Sequence, residues 1–101
     1  MLMSAIGRAV EQALIFIPII EDFVDGSDTA EVFEQEYLRL VKRTPGTLER
    51  EVSEIVNGLF GDVDAYVAED RLRGDDDLDA GQLLGCATGA LEKLRQLSRE
   101  G

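Results

Sequence analysis

The chain has 101 residues, 45% of them hydrophobic, which is enough for one domain around a single core. It carries 21 acidic residues, 10 basic residues and no histidine, so its net charge is −11 at neutral pH. So small and negative a body is repelled by nucleic acids and anionic membranes, and its charge favours a basic partner. The same charge also suits simple solubility, and composition alone does not separate these two interpretations.

Helical spacing of apolar residues recurs four times, and no segment shows the two-residue alternation of a strand. These patterns predict an all-α, compact four-helix bundle in one domain spanning residues 1–101. The first segment allows two arrangements because it contains Pro18. A continuous helix over residues 4–24 would be kinked at the proline. Alternatively, Pro18 lies in the first turn of a short helix ending near Gly26, and residues 1–17 form an N-terminal extension, either an extra helix or an arm.

The second helix is predicted to begin at Asp28, which can form a capping box with Glu31. Gly26 can close the preceding helix. The face of the second helix that meets the core is predicted to consist of Phe33, Tyr37, Leu40 and Val41. Residues 44–47 are expected to break the chain, with Thr47 as the N-cap of the next helix.

The third helix is predicted to run from about residue 48 to about residue 68. Its core stripe steps by three and four residues and comprises Leu48, Val52, Ile55, Val56, Leu59, Val63 and Tyr66. A second stripe, well away from the first, combines acidic residues with small ones: Glu51, Glu54, Gly58, Asp62, Ala65 and Glu69. A solvated face is the simplest interpretation of that second stripe.

A charged connector, residues 69–79, leads to the last helix, which a capping box of Asp79 and Gln82 is predicted to open. The core face of the last helix is predicted to be Leu83, Leu84, Ala87, Leu91, Leu94 and Leu97. Nearly opposite that face lie Gly81, Gly85 and Gly89, although an interior glycine costs about 1 kcal/mol relative to alanine. Either the helix is weak there, or another body packs closely against a smooth backbone.

The residue inventory argues against an enzyme. Without histidine, the chain has no Ser-His or Cys-His pair and no zinc ligand set, and Cys86 is interpreted as an inert, buried thiol. A calcium loop starting at Asp75 would need glycine and glutamate where Ala80 and Cys86 stand. The sequence therefore predicts no catalysis, no cofactor and no metal site. The apolar run 13–20 is too short to span a bilayer, and the chain is expected to be cytoplasmic.

Two segments resemble the colicin D-type immunity proteins of bacteria: residues 19–33, and residues 59–66 with the connector and closing helix. The resemblance covers most of the chain from about residue 18 onward. It implies a four-helix domain without catalysis that protects against a colicin-like or contact-dependent inhibition toxin. For colicin D, the partner is a basic domain that cleaves transfer RNA, and the immunity protein occupies its RNA-binding cleft. The acids of the family that carry the contact match Asp64, Glu69 and the connector here.

The charge pattern agrees with that implication, because residues 62–79 hold eight acidic residues against two arginines. Carboxylates in this segment could take the places of phosphates in a nuclease cleft. Leu72 and Tyr66 are candidate anchors, although Tyr66 also fits the core stripe. The predicted partner-binding residues are Asp62, Asp64, Tyr66, Glu69, Asp70, Asp75, Asp76 and Asp77.

The predicted partner is the basic nuclease domain of a cognate toxin, bound by a monomer in a 1:1 complex, with no nucleic acid or membrane bound directly. The alternative is an acidic helical adaptor, or small subunit, that binds a basic or apolar protein unrelated to toxins.

Overall fold

The computed structural model describes residues 2–44 and 47–100, and the side chains of residues 7–44 and 47–99. Its four helices are α1 (Leu2–Val24), α2 (Ala30–Arg43), α3 (Arg50–Ala65) and α4 (Ala80–Glu100). Since these ranges contain four helices and no strand, the prediction of an all-α four-helix bundle is confirmed. No helix in the described part of the chain is both long and apolar enough to cross a bilayer.

The first helix is continuous, so of the two predicted arrangements the structure has the one with Pro18 inside the helix. Residues 2–17 belong to this helix and form neither a separate helix nor an arm. Pro18 lies on the exposed side of α1, away from the core. The missing hydrogen bond costs about 3 kcal/mol. Burial of Phe16, Ile20 and Phe23 on the opposite side offsets this cost, since each fully buried apolar side chain contributes about 1.5–3 kcal/mol.

The start of α2 differs by one residue from the prediction. Thr29, and not Asp28, is the N-cap, because its hydroxyl oxygen accepts a hydrogen bond from the Val32 backbone N–H at 3.2 Å. The capping box of Asp28 with Glu31 was therefore wrong. Gly26 does close α1, with a φ of +88° that glycine adopts without strain.

The third helix is shorter at both ends than predicted. Its N-cap is Glu49, whose backbone N–H donates to the Gln12 side chain at 2.8 Å, so the expectation of Thr47 as the cap was wrong. Pro45 and Gly46, part of the predicted chain break, lie outside the described residues. At its other end α3 stops at Ala65, because the chain then pairs with the segment that precedes α4.

The fourth helix begins as predicted. The Gln82 N–H donates to the Asp79 carboxylate at 2.8 Å, and the Asp79 N–H donates to the Gln82 side chain at 2.9 Å, which completes the capping box. Leu84 was wrongly assigned to the core and is 38% exposed, because it lies at the edge of the buried face of α4. That face consists of Leu83, Ala87, Ala90, Leu91 and Leu94.

The core joins all four helices. Phe23 of α1 stacks on Phe33 of α2 with ring centroids 4.5 Å apart. Tyr37 is fully buried, and its hydroxyl donates to the Val56 carbonyl of α3 at 2.8 Å. The predicted α3 stripe is buried at Val52, Val56, Leu59, Val63 and Tyr66, and half-buried at Leu48 and Ile55. The spacing of apolar residues therefore identified the correct face of α3.

Candidate functional site

One end of the bundle joins two segments that are far apart in sequence. The Tyr66 hydroxyl, just after α3, donates to the Glu31 carboxylate in the first turn of α2 at 2.8 Å. Tyr66 also forms a bridge with Leu78, which leads into α4. The turn between α1 and α2 is held at this end by the stacked phenylalanines. Residues 22–34 and residues 62–79 therefore form one region, which we call the acidic end.

The acidic end carries the whole net charge of the protein. It contains thirteen of the 21 acidic residues and two of the 10 basic residues, which gives −11. The remaining eight acidic residues (21 minus 13) are balanced by eight basic residues (10 minus 2). The thirteen are Asp22, Asp25, Asp28, Glu31, Glu34, Asp62, Asp64, Glu69, Asp70, Asp75, Asp76, Asp77 and Asp79. Charge that served only solubility would not need this segregation, so the acidic end favours a docking surface for cations.

One largely buried arginine, Arg73, organises the loop between α3 and α4, residues 66–79. The Arg73 guanidinium donates twice to the Val67 carbonyl, at 2.8 and 3.1 Å, and once to the Ala68 carbonyl at 3.3 Å. It also forms an ion pair of 2.7 Å with Asp70. Only 20% of the Arg73 side chain is exposed, against 88% for Arg71, which contacts Glu69 alone. Arg73 therefore fixes the first half of the loop.

Backbone hydrogen bonds close the base of the same loop. The Leu78 N–H donates to the Ala65 carbonyl at 2.8 Å, and the Val67 N–H donates to the Leu78 carbonyl at 3.0 Å. The Asp77 carboxylate accepts the Gly74 N–H at 2.8 Å, which forms the turn at the tip. The exposed carboxylates of this loop are consequently held on an ordered backbone.

The two candidate anchors have different surroundings. Tyr66 is only 7% exposed, and burial, followed by its bond to Glu31, raises the pKa of its hydroxyl to about 12. The hydroxyl thus remains protonated and donates, and Tyr66 connects α2 to α3 from within the core. Leu72 is 73% exposed in the 3-10 turn Asp70–Leu72, and it is the large apolar side chain that this loop presents to solvent.

Asp62 stands apart from the other predicted residues. It is half-buried and faces Cys86 of α4, where burial, and then the Asp62 carboxylate, raises the pKa of the thiol. A raised pKa keeps the thiol protonated and poorly nucleophilic, as expected of an inert cysteine, but Cys86 is half-buried and not buried as predicted. Asp62 therefore borders a groove between α3 and α4. Among the described residues, no group of three or more histidine, cysteine, aspartate or glutamate side chains is arranged to hold a metal ion.

Sequence reasoning missed the contribution of α2 to this surface. Burial raises the pKa of the Glu34 carboxyl, and the charges of Glu31 and Asp64 raise it further, so acids of α2 and α3 repel one another. The Tyr66 hydrogen bond, in contrast, lowers the pKa of Glu31. The only sequence signal was the placement of Glu31 and Glu34 three residues apart, on one face of the first turns of α2.

Opposite effects on stability are expected for these two glutamates. A raised pKa means that ionised Glu34 destabilises the fold, so Glu34→Gln should stabilise the protein at pH 7, by up to about 0.5 kcal/mol. The difference should vanish as the pH falls through the ordinary glutamate range. A lowered pKa means that ionised Glu31 stabilises the fold, so Glu31→Gln should be less stable at pH 7 and converge with wild type at low pH. Thermal unfolding between pH 3 and pH 7 measures both, and equal signs would contradict the arrangement.

The fold and the acidic end define a small helical protein whose net negative charge lies at one end of the bundle. A family model described as bacterial self-protective colicin-like immunity matches residues 12–94, which is 83 of the 101 residues. The chain belongs to this family, so it is an immunity protein whose partner is a cognate toxin. The prediction of a colicin-like immunity protein, made from the two resembling segments, is confirmed. No curated protein and no solved structure matched the chain.

Proposed function

We propose that this immunity protein blocks the active site of a nuclease toxin that acts on RNA, with its acidic end in place of the RNA backbone. The observation that carries the proposal is the segregation of the entire net charge of −11 into residues 22–34 and 62–79. A nuclease cleft presents lysine and arginine at phosphate spacing, and carboxylates accept hydrogen bonds from the same donors. Mutual repulsion at the acidic end costs stability, and binding to a cationic cleft relieves it.

The ordered loop supports a tight complex. Because Arg73 and the backbone bonds already fix residues 66–79, little conformational entropy is lost when the loop enters a cleft. Leu72 extends from this loop among exposed carboxylates and offers an apolar contact. Such a contact adds affinity, because charges alone raise the association rate more than they raise affinity. The predicted carboxylates Asp64, Glu69 and Asp70, and the run 75–77, surround it in sequence.

The same charge distribution bears on stoichiometry and reaction. Two acidic ends repel each other, which favours a monomer bound to one toxin domain. Inhibition then requires only that the cleft be filled, so the immunity protein itself catalyses nothing. The complex forms in the cytoplasm, where the RNA substrate is found.

The proposal is tested with the purified cytotoxic domain of the cognate toxin. Purified domain should cleave RNA, and its activity should fall to zero at one equivalent of immunity protein. Noncleavable RNA and the immunity protein should compete for the domain, and association should slow steeply with salt, because exposed charges are screened beyond about 8 Å at physiological ionic strength. A stable ternary complex with RNA bound, or a toxin domain that does not act on RNA, would contradict the proposal.

A further inference from the structure

A groove of about 280 Å³ runs between α3 and α4 on a side of the bundle that the loop does not occupy. Its floor is apolar and includes Leu59, which is buried, and Ile55. Glycines line it from both helices: Gly58 on α3, and Gly85 and Gly89 on α4. A second hollow of about 230 Å³ continues along the two helices past Ile55.

The bundle has no internal need for these three glycines. All are in helices, where glycine is less favourable than alanine. A Cβ built at Gly58, Gly85 or Gly89 meets nothing within 4 Å, so no neighbouring helix requires the missing side chain. Gly26, by contrast, is needed for its positive φ. Gly7 and Gly61 are equally open helical glycines outside the groove, so an open glycine alone does not mark a contact. The three in the groove lie on both of its walls, and together they leave bare backbone that a partner can approach closely.

The rim of the groove shows which chemistry fits. Glu51, Glu54 and Asp62 line the two hollows, and Lys93 is the basic residue among the lining side chains. Glu54 also pairs with Arg50 at 3.3 Å, an exposed contact that a partner's cation can replace. This excess of carboxylates over an apolar floor suits lysine or arginine, whose aliphatic stems cover apolar surface while their charged ends reach carboxylates. A second copy of this chain is a poor occupant, because both copies carry −11.

We infer that the α3–α4 groove binds a lysine- or arginine-bearing segment of the toxin domain, as a second contact beside the active-site cleft. Asp62 belongs to both the acidic end and the rim, so one basic partner can reach the two surfaces together. The inference rests on the proposed function in one respect, that the toxin domain is the basic partner. The smooth glycine walls then serve close approach of the toxin backbone, and the groove adds contact area that the loop lacks.

Filling the groove tests this inference. Gly58→Gln and Gly85→Gln place side chains in open space on well-formed helices, so their melting temperatures should equal or exceed that of wild type. Affinity for the toxin domain should nevertheless fall at least tenfold, mainly through faster dissociation. Gly7→Gln is the matched control, because Gly7 is an exposed glycine of α1 with equally open surroundings, outside the groove. Wild-type affinity of the groove variants, or an equal loss with Gly7→Gln, would overturn the inference.

Two further measurements keep the outcome clear. If a glutamine variant unfolds, the triple change Gly58→Ala, Gly85→Ala and Gly89→Ala gives the smaller obstruction and must still weaken binding. The pair Asp75→Lys and Asp76→Lys is measured beside it. If the groove variants bind normally and the loop pair binds weakly, the inference about the groove is refuted and the proposed function stands. If the loop pair binds normally and the groove variants bind weakly, the proposed function is refuted and the groove is the main contact.

Discussion

Reversing paired charges in the loop is expected to weaken binding to the toxin domain by about two orders of magnitude or more. The two variants are Asp64→Lys with Glu69→Lys, and Asp75→Lys with Asp76→Lys. Like charges set against a basic cleft cost several kcal/mol, and each 1.4 kcal/mol is tenfold in affinity. Calorimetry gives the affinity, and growth of cells that express the toxin domain gives the protection, which both variants should lose.

Unfolding does not provide an alternative explanation for such a loss. Asp64, Glu69, Asp75 and Asp76 are all exposed, and exposed substitutions usually change stability by less than about 0.5 kcal/mol. At Asp64 the expected sign is favourable, because its charge is one of those that raise the pKa of Glu34. A lysine there relieves repulsion. The Asp64 variant should therefore melt no lower than wild type while binding far more weakly.

The control must carry the same change of charge outside the acidic end. Glu11→Lys with Glu36→Lys meets this condition: Glu11 is exposed on α1, and Glu36 forms an ion pair with Arg39 within its own helix. This pair should lose no more than a few-fold in affinity. Equal losses for all pairs would show that net charge alone matters, and full protection by the loop variants would show that the toxin binds elsewhere.

The position of Glu31 and Glu34 relative to Asp64 could not be predicted from the sequence. By sequence, Glu31 and Glu34 lie on another helix, remote from Asp64, and would serve as a comparison. In the structure they belong to the same acidic end, because Tyr66 bonds to Glu31 across 35 residues of chain. Periodicity assigns a residue to a face of its own helix, but it does not state which faces of different helices meet at one end.

The helices themselves were predictable because their apolar residues recur every three or four positions. Their ends were less so. Asp28 and Thr29 are both good N-cap residues, and only the geometry selects Thr29. At the end of α3 the apolar stripe continues to Tyr66, while the helix stops at Ala65 because the loop pairs with Leu78. Helix length was thus overestimated where a long-range contact competed with local pattern.

The acids of residues 62–79 could be found from sequence because they are contiguous. Only one wall of the groove could be predicted from sequence: the glycines of α4 form a recognisable stripe, but nothing in the sequence links them to Gly58 on α3. Gly58 belongs to the groove because α3 packs against α4, so that Gly58 lines one groove with Gly85 and Gly89 while Asp62 faces Cys86. Such pairing depends on the packing of two helices and has no local signature in either.

Removing Arg73 is expected to weaken toxin binding even though it makes the protein more negative. Arg73→Ala deletes the hydrogen bonds to the Val67 and Ala68 carbonyls and the ion pair with Asp70. Several loop residues then become free, and ordering a residue's backbone again on binding costs about 1–2 kcal/mol. The expected loss is about tenfold to a hundredfold in affinity. Net charge alone predicts the opposite sign, which makes this substitution informative.

Arg71→Ala is the matched comparison, because it changes the net charge equally but removes only an exposed contact with Glu69. It should bind as well as wild type or better, with faster association at low salt. Arg73→Lys should fall between wild type and Arg73→Ala, since an ammonium keeps the charge without the fork that reaches two carbonyls. Hydrogen exchange provides the structural readout: the Val67 and Leu78 amides should exchange faster in Arg73→Ala than in Arg71→Ala. Equal affinities for the two alanine variants would mean that loop order plays no part, and that the acidic end acts through its charge alone.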